Sequence, residues 1–205
     1  MGLHKRDVGT VRATAISGWW FPMLIVLLAL LLVMGGESAR LILRFDRTGI
    51  LSGELWRLVT GHFIHLGVAH FALNAAGLGL VWYLVGTSFD WRGWLLVAAV
   101  SLVTMDLGLW FLNPALNWYV GLSGLLHGLL AAGLVRRLSK SDTETLVLAA
   151  FLLGKLAWEQ LSGPLPGSEG TAGGPVVVDA HLFGAFGGAL MAIALRIRTR
   201  RGTPI

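Results

Sequence analysis

From Leu58 to Phe89 the chain contains no Asp, Glu, Lys or Arg. That run is longer than the ~20 residues a membrane-spanning helix needs, and it is one of several. A soluble domain carries roughly 25% charged residues, whereas this chain carries 13% and is 55% hydrophobic. It has too few ionic groups to cover a water-facing surface. In lipid the backbone must satisfy its own polar groups, which a helix does internally. The 28 glycines among 205 residues follow no repeat. They suit helices that must approach closely where no hydrophobic force drives them together.

Divided at its polar turns, the chain predicts six spans: Gly18–Gly36, about Val68–Val85, Gly93–Leu112, Tyr119–Val135, Thr145–Leu161 and Val177–Leu195. The mixed stretch from Ser38 to Arg57 is long for a hairpin and apolar enough to lie partly in the membrane interface. Gly163 to Pro175, rich in Gly, Pro and Ser, reads as a flexible loop. Trp19, Trp20, Trp91, Trp94 and Trp118 read as interface anchors.

Six spans place both termini on one side. With that side cytoplasmic, eleven Lys and Arg fall inside and five elsewhere, as the positive-inside rule favours. The chain accordingly reads as an all-α polytopic membrane protein in three parts. These are a cytoplasmic N-terminal segment (1–17), a six-helix membrane domain (18–197) and a basic cytoplasmic tail (198–205). The net charge of +5 does not point to nucleic acid, because the basic clusters abut apolar runs and no basic–aromatic interleaving lies outside them. With no cysteine there is no disulfide, thiolate nucleophile or Cys metal site.

Ionisable and polar side chains inside spans are costly and are functional candidates by default. His70 and Asn74, at i and i+4, share one helical face of the second span. Gly121-Leu-Ser123-Gly124 sets a serine between glycines at the outer end of the fourth span. His181 stands just inside the sixth span, followed by Gly184 and Gly188, and His127 lies one turn below Ser123. A serine hydroxyl needs an adjacent base to act as a nucleophile, and a partly buried imidazole suits that task. His70, Asn74 and the Ser123 N–H are candidate donors to an oxyanion. Glycines 121, 124, 184 and 188 would let the fourth and sixth spans meet closely.

The ordered combination of His70-x-x-x-Asn74, Gly121-x-Ser123-Gly124 and His181-x-x-Gly184-x-x-x-Gly188, with Trp56-Arg57 and His65 ahead of them, resembles the rhomboid intramembrane serine proteases. The resemblance covers roughly Trp56 to Leu195. It implies Ser123 as nucleophile, His181 as general base, and His70 and Asn74 as oxyanion donors. It also implies a water-filled cavity opening to the outer side, a membrane-anchored protein substrate, and no metal or other cofactor. The segment Gly121-Leu-Ser-Gly-Leu-Leu-His-Gly128 and the bare six-helix plan resemble the rhombosortase branch, associated with substrates carrying a C-terminal Gly-Gly motif, an apolar helix and a basic tail. Many rhomboids have Tyr four residues after the serine, stacking on the base; this chain has His127, which puts that stacking in doubt. A bacterial inner-membrane location with the site facing the periplasm follows from the same resemblance.

Other readings compete. His65 is expected to tether the first loop, and Asp106 and Lys155 are expected to pair as two intramembrane charges. Asp179 lies two residues before His181 and would face away on a helix, so it is expected to cap that helix and leave a Ser–His dyad without an acid. A non-catalytic relative binding membrane clients is the main alternative function. A bis-His haem or metal protein is the third, given six histidines in a helical bundle.

Overall fold

The computed structural model describes residues 18–138 and 142–200. The segment 1–17, Lys140 and the last five residues of the basic tail therefore lie outside the described residues. Helix α1 (Trp20–Met34) turns by 113° into α2 (Gly36–Leu43). The expected first span thus ends at Gly35-Gly36, where Gly36 takes a φ of 63° that side chains disfavour. A two-residue strand β1 (Phe45–Asp46) and two short helices, α3 (Arg47–Leu51) and α4 (Arg57–Thr60), complete the first loop. Helices α5 (Val68–Val85) and α6 (Trp91–Phe111) follow, then β2 (Trp118–Tyr119), which pairs antiparallel with β1. That two-residue pairing is a small departure from an all-helical fold. Helix α7 (Ser123–Arg137), α8 (Thr143–Ser162), a short α9 (Ser168–Ala172) and α10 (Val178–Arg200) end the described chain.

Among the described residues, three helices, α5 with its short continuation, α6 and α10, are long and apolar enough to cross a membrane, or four if the bent α1–α2 pair is one span. The other two expected spans fall short for identifiable reasons. Helix α7 has only 15 residues because Trp118–Tyr119 are drawn into the strand pair, and α8 carries Glu144, Lys155 and Glu159.

Helix α10 is the centre of the bundle, packed on α7 and α6. Its seam with α7 is made of backbone. A Cβ on Gly184 would be driven into the carbonyl of Gly124, and one on Gly188 into the carbonyl of Gly128. Small residues are what allow such an approach between helices in lipid. The larger core cluster, including Leu78, Val97, Leu125 and Leu129, sits where α5, α6 and α7 meet.

The first loop is held by arginines that satisfy orphan carbonyls. Arg47 donates to Leu109 O (2.9 Å), Trp110 O (3.2 Å) and Asn113 O (3.2 Å), closing the C-terminal end of α6. Arg57 donates to Leu41 O (2.9 Å) and Arg44 O (3.0 Å). Arg57 is thus a tether of this loop, whereas His65 packs edge-on against His70 and Phe71, with centroids 5.0 and 5.8 Å away. Trp94 is buried and donates to Gly86 O (2.9 Å), so it is a packing residue and not an interface anchor.

Candidate active site

Residues 120–123 decide where the serine stands. Gly121 has a φ of 129°, and its N–H donates to Gly61 O at 3.1 Å. A side chain there would be strained and would press on the His70 ring. The Tyr119 hydroxyl donates to Gly121 O at 2.5 Å, locking the same turn. Helix α7 therefore begins at Ser123, which is half-buried against a cavity. The first N–H groups of a helix have no partner of their own, and the helix dipole favours negative charge beside them.

His181 comes to the serine from α10. Its Nε2 lies 2.9 Å from Ser123 Oγ, across the seam where the glycines of α7 and α10 meet. His127 lies flat against it, ring centroids 4.2 Å apart and planes 17° from parallel. The histidine at Ser123+4 therefore does make a stacking contact. Its Nδ1 lies 2.7 Å from Ser123 O and donates to it, which fixes the ring one turn below the serine.

The other ring nitrogen of His181 meets a side chain that the sequence reading missed. Nδ1 lies 2.9 Å from Glu159 Oε2 on α8, and Glu159 is only 3% exposed. Glu159 Oε1 accepts from Lys155 Nζ at 2.6 Å, one turn earlier on the same helix. The signal was present in the sequence, since Lys155 and Glu159 are an i,i+4 pair of opposite charge inside an apolar helix. His127, Glu159 and His181 gather ligand-type atoms within 4.8 Å of one another. The near-parallel rings point their in-plane lone pairs along parallel planes, a poor arrangement for one ion.

His70 and Asn74 line the same cavity of about 260 Å³ as Ser123, His127, Lys155, Glu159 and His181. Leu66 N–H donates to His70 Nδ1 at 3.4 Å, which leaves the His70 proton on Nε2, beside the Gly121 backbone. Asn74 donates one amide N–H to His70 O at 3.2 Å and has a second to offer. Leu165, Ala172 and Pro175, from the Gly- and Pro-rich stretch, also line the cavity. That stretch is in part the helix α9.

Two expected pairings are replaced. Asp106 meets His62 Nε2 at 3.0 Å, and Lys155 meets Glu159, so Asp106 and Lys155 do not pair. The two aspartate and lysine positions lie on helices whose charged groups each found a nearer partner. Asp179 accepts from Asn113 Nδ2 at 2.7 Å and lies within the first turn of α10, where it links that helix to the loop after α6. It is therefore not the cap of that helix, and it stays away from the imidazole as expected.

A serine hydroxyl against a buried imidazole, with helix-start N–H groups alongside, is an arrangement suited to acyl transfer. The rhomboid domain model matches residues 52–198. The chain is also similar to YdcA of Bacillus subtilis (strain 168), whose name marks it as a candidate rhomboid protease. The two are 26% identical over 144 residues, covering 70% of this chain and 69% of the relative. The match spans most of the chain and all the cavity's polar side chains, and the chain belongs to the rhomboid family of integral membrane proteins, membership of which implies a serine protease.

Proposed function

We propose that the chain is an intramembrane serine endopeptidase that cleaves single-span, membrane-anchored proteins near their transmembrane segment. The observation that carries this reading is the 2.9 Å approach of His181 Nε2 to Ser123 Oγ inside a cavity shared with His70 and Asn74. In the reaction, Ser123 Oγ attacks the scissile carbonyl carbon while its proton passes to His181 Nε2. The carbonyl oxygen becomes an oxyanion, placed to accept from the Ser123 N–H, His70 Nε2–H and the free N–H of Asn74. Collapse breaks the C–N bond, and the leaving amine takes the proton from His181. A water molecule then repeats the sequence on the acyl-enzyme and releases Ser123. Gly121 and Gly124 act by shape, setting the turn before the serine and the seam behind it.

The six-span topology, with both termini cytoplasmic and the cavity open to the periplasmic side of a bacterial inner membrane, is part of this reading. Its support is the distribution of Lys and Arg. We place the chain in the rhombosortase branch, with His127 stacked on His181 where many rhomboids have Tyr, and with substrates anchored by C-terminal Gly-Gly-type segments. Labelling by a fluorophosphonate in detergent or proteoliposomes tests the chemistry. The wild type labels, and Ser123→Ala and His181→Ala do not. Labelling that persists in Ser123→Ala removes the proposal. Cleavage of a reporter bearing a Gly-Gly-type anchor, lost when the Gly-Gly is replaced by Leu-Leu, tests the branch.

A further inference from the structure

We infer that Glu159 is a positioning residue for His181, held in place by Lys155, so that the hydrolytic unit is a Ser123–His181–Glu159 triad contributed by three helices. This rests on the function proposed above and deepens it, since the expected unit had no acid.

The argument starts from the accounting of donors and acceptors around one ring. Glu159 is almost wholly buried, and a bare carboxylate there is costly unless its oxygens are paired. Both are paired, Oε2 with His181 Nδ1 at 2.9 Å and Oε1 with Lys155 Nζ at 2.6 Å. Lys155 Nζ also lies 3.5 Å from His181 Nδ1. An ammonium has only donors. If Nδ1 offered its lone pair to Lys155, it would present the same lone pair to the carboxylate 2.9 Å away, and two acceptors would face each other. With the proton on Nδ1, both donors converge on Glu159 and both carboxylate oxygens are satisfied. That tautomer leaves the Nε2 lone pair bare, aimed at Ser123 Oγ from 2.9 Å. An acid behind the base keeps the imidazole in the tautomer that can accept the serine proton and stabilises the imidazolium that forms. His127, stacked on the ring face, restrains its tilt but has no reach to Nδ1.

A purely structural role, in which Lys155 and Glu159 staple α8 to α10, would cost stability on mutation but would not set the tautomer. Nitrogen-15 histidine spectra of the full-length protein, with the His181 signal assigned by its loss in His181→Ala, separate the two. The wild type is expected to carry the His181 proton on Nδ1, and Glu159→Gln to shift it towards Nε2. Labelling by the fluorophosphonate is expected to slow by roughly 10²–10⁴-fold in Glu159→Gln. The loss should fall on the maximal rate and not on the half-saturating concentration. Glu159→Asp restores part of the rate, and Lys155→Met slows it less than Glu159→Gln does.

A wild-type His181 protonated on Nε2 overturns the inference, and needs no Glu159 variant to fold. So does wild-type labelling by folded Glu159→Gln. In either case loss of labelling in Ser123→Ala leaves the proposed function standing, whereas persistent labelling there removes both.

Discussion

The two contacts that α10 makes beside His181 are built on opposite principles. Against α7 it packs backbone on backbone, through Gly184 on Gly124 and Gly188 on Gly128. Nine of the 15 residues of α7 are buried, so the serine's helix is held by shape along its whole length. Against α8 the contact is polar, the Lys155–Glu159–His181 chain. Only Thr145, Leu152, Leu156 and Glu159 of the 20 residues of α8 are buried. A backbone seam has no alternative arrangement, because nothing in it is flexible. A charged contact can be made, broken and remade. His181 thus stands on a rigid wall with Ser123 and leans on a helix that is held at a few points.

The sharpest way to break this contrast is to add a methyl group to the seam. Gly184→Ala drives a Cβ into the Gly124 carbonyl, where no side chain can swing aside. Overpacking of this kind costs roughly 1–3 kcal/mol, with a backbone clash at the upper end, seen as a large fall in thermal stability in detergent together with loss of fluorophosphonate labelling. An unchanged melting temperature would mean that the seam gives way.

Hydrogen exchange compares the two helices directly. Amides of α8 between Leu148 and Leu156 are expected to exchange at least about tenfold faster than those of α7 between Leu126 and Leu134. That corresponds to ~1.4 kcal/mol less to open. Equal protection would show that the polar contact holds α8 as firmly as the glycines hold α7.

The same methyl group that breaks the seam should help on α8. A Cβ at Gly154 meets nothing within 4 Å. Gly154→Ala is expected to stabilise by ~0.4–1 kcal/mol through helix propensity and a less flexible unfolded chain. Destabilisation on chemical or thermal unfolding would reveal a contact at that face.

The smallest effect concerns the start of α8. Asp142 caps it by accepting from Thr145 N–H at 2.7 Å, and that N–H holds the Asp142 carboxyl below its ordinary value. A carboxyl lowered in the folded state stabilises above its unfolded pKa, and this is lost as pH falls through the lowered value. Acidification through that window should slightly raise exchange at the first turn of α8 in the wild type. Asp142→Asn, which keeps a capping oxygen, should abolish the pH dependence.

What was legible in the sequence followed local rules. The charge-free run from Leu58 to Phe89 marked a membrane helix, and α5 occupies the bounds Val68–Val85 that the turns implied. The i,i+4 spacing of His70 and Asn74 placed them on one face, and both line one cavity with Ser123. The ends of spans were less legible where distant segments competed for them. Tyr119, the expected start of the fourth span, instead pairs with Phe45, and Trp118 with Asp46, which shortens α7 and sets Ser123 at its start. Charges were misassigned for the same reason. Asp106 took His62 and Lys155 took Glu159, because proximity across a bundle is not a function of chain position.

By itself the sequence determined the class of molecule, through a shortage of charge that excludes a water-facing surface. It also determined which residues are small enough for helices to touch and which polar groups sit at membrane depth. Only the tertiary structure decided what lies behind the imidazole. Glu159 precedes His181 by 22 residues and reaches it from a different helix across a Gly- and Pro-rich turn. Periodicity places side chains on a face of their own helix. Which face meets which is settled by packing, here by two pairs of glycines that turn α10 so that His181 stands between Ser123 and Glu159.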